Sequence, residues 1–122
     1  MIDKNKSYAV IGVSENQEKY WYKVFKDLLE NNYKVWGINP KWWVLLWEEI
    51  QHNLSDIKEK IDIVIFVTPP SITETVLESV RELDIQEVWF QPGAESEKAI
   101  QFCEINNISY TANACIMIQR KL

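Results

Sequence analysis

Glycine is scarce in this chain: three residues among 122, Gly12, Gly37 and Gly93. A dinucleotide fingerprint of the form G-x-G-x-x-G needs three of them in one turn, and only the first, Gly12, is in place, which disfavours NAD. Histidine is scarcer still. His52 stands alone, no Ser/His/Asp or Cys/His set can be assembled with it from the turns that would face a ligand, and it reads as a surface or capping residue. Cysteine occurs twice, at Cys103 and Cys115, without a CxxC or Cys/His spacing. That usage fits buried thiols in a reducing compartment and argues against a structural metal. A basic excess is also lacking: 13 Lys and Arg face 18 Asp and Glu, a formal net charge of -5. Neither nucleic acid nor a membrane surface is expected as a partner. The apolar part of "MIDKNKSYAVIGV" is too short for a signal peptide or a membrane span, so a cytoplasmic protein is expected.

What is present is an alternating pattern in one domain, residues 1–122. "SYAVIGV" (7 to 13) is a short apolar, β-branched run ending at a glycine, and reads as a buried strand. "NQEKYWYKVFKDLLENN" follows, with Tyr20, Val24, Leu28 and Phe25 at helical spacing. "YKVWGI" is a second strand, "SDIKEK" a helical turn with Ser55 as its N-cap, and "DIVIFV" (62 to 67) a third strand. "SITE" (71 to 74) has the form of a capping box, opening a helix whose buried stripe would be Ile72, Val76, Leu77 and Val80. "QEVWFQ", "SEKAIQFCEINN" and "ISYTAN" complete it as strand, helix, strand. Strands alternating with helices through short connections require parallel pairing by right-handed crossovers. The expected fold is α/β: a single three-layer Rossmann-like domain with a five-stranded, mainly parallel, doubly wound sheet.

Ligands of such sheets bind at the carboxyl ends of the strands. After the first strand, Gly12 permits a tight turn, Ser14 offers a hydroxyl, and the amides of residues 13 to 16 could receive a phosphate. "NPK" (39 to 41) follows the second strand and "TPPS" the third, where Pro69 and Pro70 fix the chain and Thr68 supplies a donor. "QPGAES" and "NACIM" follow the last two. Cys115 in that final turn is a packed thiol, or a rim residue able to form a mixed disulfide.

"YAVIGVS", "KVFKDLLENNYKVWGINPK", "DIVIFVTPP", "EVWFQPGAESEKAI" and "NACIMI" together resemble the small stand-alone CoA-binding proteins, Rossmann domains related to the CoA-binding domain of the succinyl-CoA synthetase α chain. The resemblance runs over nearly the whole chain. It implies a non-catalytic domain that binds coenzyme A or an acyl-CoA, with phosphates on the turn at Gly12, Val13 and Ser14. Asn39, Pro40 and Lys41 would lie near the nucleotide, and Thr68, Pro69 and Pro70 would line the other wall.

One segment departs from that family. "WWVLLW", residues 42 to 47, places three Trp and three aliphatics where the family is polar and Gly-containing, and Trp21 replaces a small or polar residue of the first helix. Asn32 stands where a helix-ending glycine is common, a mild change because Asn tolerates the left-handed conformation. As core the run would overpack a domain of this size. As an interface it fits better, since Trp is enriched at binding hot spots. Trp21, Trp42, Trp43, Val44, Leu46 and Trp47 are therefore the expected surface for a protein partner or a homodimer. Such replacements in one neighbourhood resemble interface engineering of a CoA-binding scaffold. A module that binds protein and has lost CoA is the alternative reading.

Overall fold

A computed structural model of the chain describes residues 3–12, 20–39, 44–45 and 48–120. Five strands, β1 (Ser7–Ile11), β2 (Lys34–Ile38), β5 (Ile63–Phe66), β6 (Glu87–Phe90) and β7 (Ser109–Thr111), form one sheet in the order β2-β1-β5-β6-β7. Every pairing in it is parallel. Counting the strands of this sheet alone, the order is that of the doubly wound folds whose ligand site lies where the chain reverses direction, between β1 and β5. Two further strands, β3 (Val44–Leu45) and β4 (Glu48–Glu49), pair antiparallel with each other and form a separate small sheet. The first half of that hairpin lies inside the Trp-rich run, where no strand was expected.

The central strands are buried on both faces, which is why they read as continuous apolar runs rather than alternating ones. All five residues of β1 and all four of β5 are buried. On one face Tyr8, Val10, Ile63, Ile65 and Trp89 pack with Val24, Phe25 and Leu28 of α1 (Tyr20–Glu30) and Ile116 of α4 (Ile116–Arg120). On the other, Ala9, Ile11, Val64, Phe66, Val88 and Phe90 meet Leu77 and Val80 of α2 (Pro70–Glu82) and Ala99 and Cys103 of α3 (Glu97–Ile105). Burial at Cys103 pushes its thiol up to about 11, so this cysteine is an inert core residue.

Three helices end alike. Asn32, Asp84 and Asn107 hold left-handed φ values of 65°, 59° and 57°, just beyond α1, α2 and α3. Behind each, the next amide reaches back: Tyr33 to the Leu28 carbonyl, Ile85 to Val80 and Ile108 to Cys103. These are Schellman closures with Asn or Asp where glycine is usual, and Asn32 behaves as the sequence indicated.

Helix starts differ from expectation. Pro69 is the N-cap of α2 and Pro70 its first residue, so "SITE" lies inside the helix rather than at its boundary. Proline at the first turn is favoured because its missing N–H would have no partner there. Asn53, not Ser55, caps the 3-10 turn Leu54–Asp56, and its own amide donates to the Asp56 carboxylate at 3.1 Å.

Candidate ligand site

A cleft of about 250 Å³ opens at the carboxyl ends of β1 and β2. Ile11 and Gly12 form its floor with Ile38; Ile72, Val76 and Ser79 of α2 make one wall, and His52, Asn53 and Leu54 the other. Each element brings its residues here for a local reason. β1 ends in the cleft because its amide ladder continues past Ile11, the Gly12 N–H donating to the Ile38 carbonyl at 3.1 Å. The 50–54 segment is sewn to the edge of β2: the Gln51 amide donates to the Gly37 carbonyl at 3.0 Å, and the Asn39 amide to the Gln51 carbonyl at 2.8 Å. The walls are aliphatic with three polar side chains at the margin, the usual make-up of a small-molecule pocket. Its volume lies just below the range of about 300–1,000 Å³ for whole small-molecule sites, so it suits one end of a larger ligand.

Gly12 is a glycine for a different reason than a tight turn. Its backbone is outside the left-handed region, but a Cβ there would lie 1.9 Å from Cδ1 of Trp21. Gly37 on the neighbouring strand is similarly pressed, with Trp21 Cζ2 at 3.2 Å and Ile50 Cδ1 at 2.9 Å from its would-be Cβ. The two glycines open a slot in the sheet, and the indole fills it.

Trp21 is accordingly not part of an exposed patch, contrary to expectation. It is 2% exposed, stacks on Phe25 with ring centroids 5.4 Å apart, and donates its Nε1–H to the Val10 carbonyl at 3.1 Å. The physical reason is the slot itself: dispersion and burial reward a large flat side chain there, and the sole polar atom finds an acceptor. Trp42, Trp43, Leu46 and Trp47 lie outside the described residues, and Val44 begins β3.

Of the residues expected around a nucleotide, Gly12 lines the cleft. Val13, Ser14, Pro40 and Lys41 lie outside the described residues. Asn39 is buried at the end of β2. Thr68 is buried, its hydroxyl 2.6 Å from that of Thr73, and it braces the start of α2 rather than facing the cleft. Pro69 and Pro70 are exposed at that helix start. The sequence reading missed His52, Asn53, Leu54, Ile72, Val76 and Ser79 as cleft residues. Ile72 was assigned to a buried stripe but is 41% exposed; it stands four residues from Val76 on a line displaced from Leu77 and Val80, and that second line was the available signal.

"VWFQ" and "NACIM" prove to be tied to each other. The Trp89 indole donates to the Ala114 carbonyl at 2.9 Å. Gln91, buried at the end of β6, accepts the Ile116 amide at 2.8 Å. Its Nε2 lies 3.5 Å from Cys115 Sγ, which is half-buried and not among the residues lining the cleft.

Known proteins resemble this chain in structure or in sequence. A conserved hypothetical protein from Pyrococcus furiosus superposes with a TM-score of 0.88 at 31% identity, over 93% of this chain and 98% of that one. The uncharacterized protein YneT of Bacillus subtilis is 25% identical over 97% of this chain and 87% of its own length. An acetate–CoA ligase (ADP-forming) of Methanocaldococcus jannaschii is 33% identical over 73 residues, 60% of this chain. The chain spans about a tenth of that ligase, 10% of its length. Residues 6–121 match the CoA binding domain family, and with nearly the whole chain so matched, the protein belongs to that family.

Proposed function

We propose that this protein binds coenzyme A or an acyl-CoA without transforming it. The adenosine end occupies the cleft between Ile72 and Leu54, and the diphosphate rests on the turn after β1, at Val13 and Ser14. Pro40, Lys41 and the Thr68–Pro70 turn lie farther along the ligand. The observation that carries this reading is the aliphatic cleft at the carboxyl ends of β1 and β2, beside Gly12. It is of a size for a purine and its sugar, and it lies at the carboxyl edge of the sheet, on the β2 side of the β1–β5 switch point at which doubly wound sheets hold nucleotides.

Calorimetric titration with CoA tests it. One-site saturable heat is expected, with NAD giving none at the same concentrations. Ile72→Trp fills the cleft from an exposed wall and should abolish the heat while leaving the circular dichroism unchanged. A folded wild-type protein that takes up no CoA would overturn the reading.

The run 42–47 supports a second role, a surface for a protein partner or another copy of this chain, because of its three Trp and because Val44 and Leu45 pair in a two-stranded sheet rather than in the five-stranded one. A designed origin for that surface rests on its composition alone. Sedimentation of Trp43→Ala with Trp47→Ala tests the role: unchanged association of the purified protein removes it.

A further inference from the structure

We propose that Trp21 is a positioning residue for the cleft: from the opposite face of the sheet, its indole sets the floor on which the ligand's adenosine end lies. The inference deepens the CoA reading and rests on it. The floor is Ile11, Gly12 and Ile38, and the two isoleucines belong to the half of the core that packs against α2 and α3. Trp21 packs in the other half, with Val10, Phe25 and Ile50. It lies against the underside of the strand ends that form the floor.

Strand ends are ordinarily held in a core by their own side chains. β1 runs on into Gly12 and β2 passes through Gly37, and neither residue has one. At Gly12 the three heavy atoms nearest to the place of a Cβ all belong to Trp21, at 1.9 to 2.6 Å. At Gly37 they are Ile50 Cδ1 at 2.9 Å, Trp21 Cζ2 at 3.2 Å and Phe25 Cε1 at 3.3 Å. One ring therefore stands in for the missing side chains of two adjacent strands, its pyrrole edge beneath β1 and its benzo edge beneath β2. The ring is fixed in turn by its bond to the Val10 carbonyl and its stacking on Phe25. Above it, the Gly12 amide joins the Ile38 carbonyl at 3.1 Å, so indole, glycine and floor form one continuous stack from α1 to the cleft. The wall follows from the same support. Ile50, packed on Gly37, leads directly into His52, Asn53 and Leu54, and the Gln51 amide is bonded to the Gly37 carbonyl. A close-packed interior passes a displacement on rather than absorbing it, and a site works only while the residues beneath it hold its geometry. A smaller side chain at position 21 leaves both glycines without support, and the floor and wall lose their common reference.

Calorimetric titration with CoA of the wild type, Trp21→Phe, Trp21→Leu and Leu28→Ala tests the proposal, with urea midpoints measured alongside. Leu28 is buried on the same helix and in the same half of the core, about two turns from Trp21, and serves as the control for lost stability alone. Affinity should fall in the order Trp, Phe, Leu at position 21, by about tenfold at Leu, the size expected of a change that reaches a ligand through intervening residues. Leu28→Ala should lower the urea midpoint and keep CoA affinity within about twofold of the wild type, as for a distant, independent site. A second measurement needs no destabilised variant. The nitrogen–proton indole signal of Trp21, identified by its loss in Trp21→Phe, should move when the wild type is saturated with CoA, whereas that of Trp89, bonded to the Ala114 carbonyl, should hold. Equal affinities for every residue at position 21, a loss in Leu28→Ala matching that in Trp21→Leu, or an unmoved Trp21 signal would each overturn the proposal. Folded wild type that takes up no CoA is a different failure: it removes the CoA reading together with this one.

Discussion

Gly12 and Trp21 occupy one another's space, and neither can be understood alone. A methyl group at Gly12 falls 1.9 Å from the indole, so the ring or the helix beneath it must move. Gly12→Ala should cost about 1–3 kcal/mol, the usual penalty for overpacking, read as a lower urea midpoint with an unchanged slope. Adding Trp21→Val should return part of that loss, so that the two changes together cost less than their sum. Equal additivity would show that the slot is not shared. Asp62 offers a residue-scale test of charge. Its carboxylate accepts the Ser7 amide at 2.8 Å and the Ser7 hydroxyl at 3.1 Å, and the backbone bond from Ser7 holds it below the ordinary carboxylate value. A carboxyl depressed in the folded state contributes stability that is complete above its unfolded value and is lost as pH falls through its folded one. The gap in urea midpoint between wild type and Asp62→Ala should therefore be constant near neutrality and close in acid. A gap that widened in acid would contradict the assignment.

Helices here are closed by residues that tolerate a left-handed backbone without being glycine. Asn107→Ala should cost about 1 kcal/mol, because a Cβ without a compensating local hydrogen bond disfavours that conformation by about 1–2 kcal/mol. Asn107→Gly should leave stability equal or higher, and differential scanning calorimetry separates the two. The Asn32 cap was legible because a polar residue follows an amphipathic run at the right place. The start of α2 was not: a Ser-x-x-Glu box and a Pro-Pro pair compete for the same boundary, and the prolines win because their fixed φ suits the first turn and removes amides that would otherwise want partners. Trp21 was misplaced for a related reason. Periodicity counts apolar positions on a helix but is blind to two glycines on different strands, and those glycines decide where an indole fits.

For the molecule as a whole, the alternation of strands and helices was readable because each central strand is an unbroken apolar run, the mark of burial on both faces. The cleft was only partly readable. Gly12, at the end of the first apolar run, points to it, whereas Ile38, Leu54, Ile72 and Val76 meet there solely because the topology brings separate stretches of the chain to one edge. CoA that binds the folded chain and not the unfolded one must raise its stability by mass action, about 2.7 kcal/mol at a hundredfold excess over Kd. The melting temperature should climb steadily with CoA concentration in the wild type and stay flat in Ile72→Trp. The all-parallel sheet carries one more consequence, in time rather than in energy. Tyr8 meets Val35, and Ile63 meets Glu87; every such pairing waits until the intervening helix has been laid down across the sheet. With no hairpin inside that sheet from which to zip, the chain has to close large loops before any of those contacts repays the lost entropy. Its rate of folding is thus governed by how soon a helix and two central strands collapse together, and the small hairpin at β3 and β4 gives it no head start.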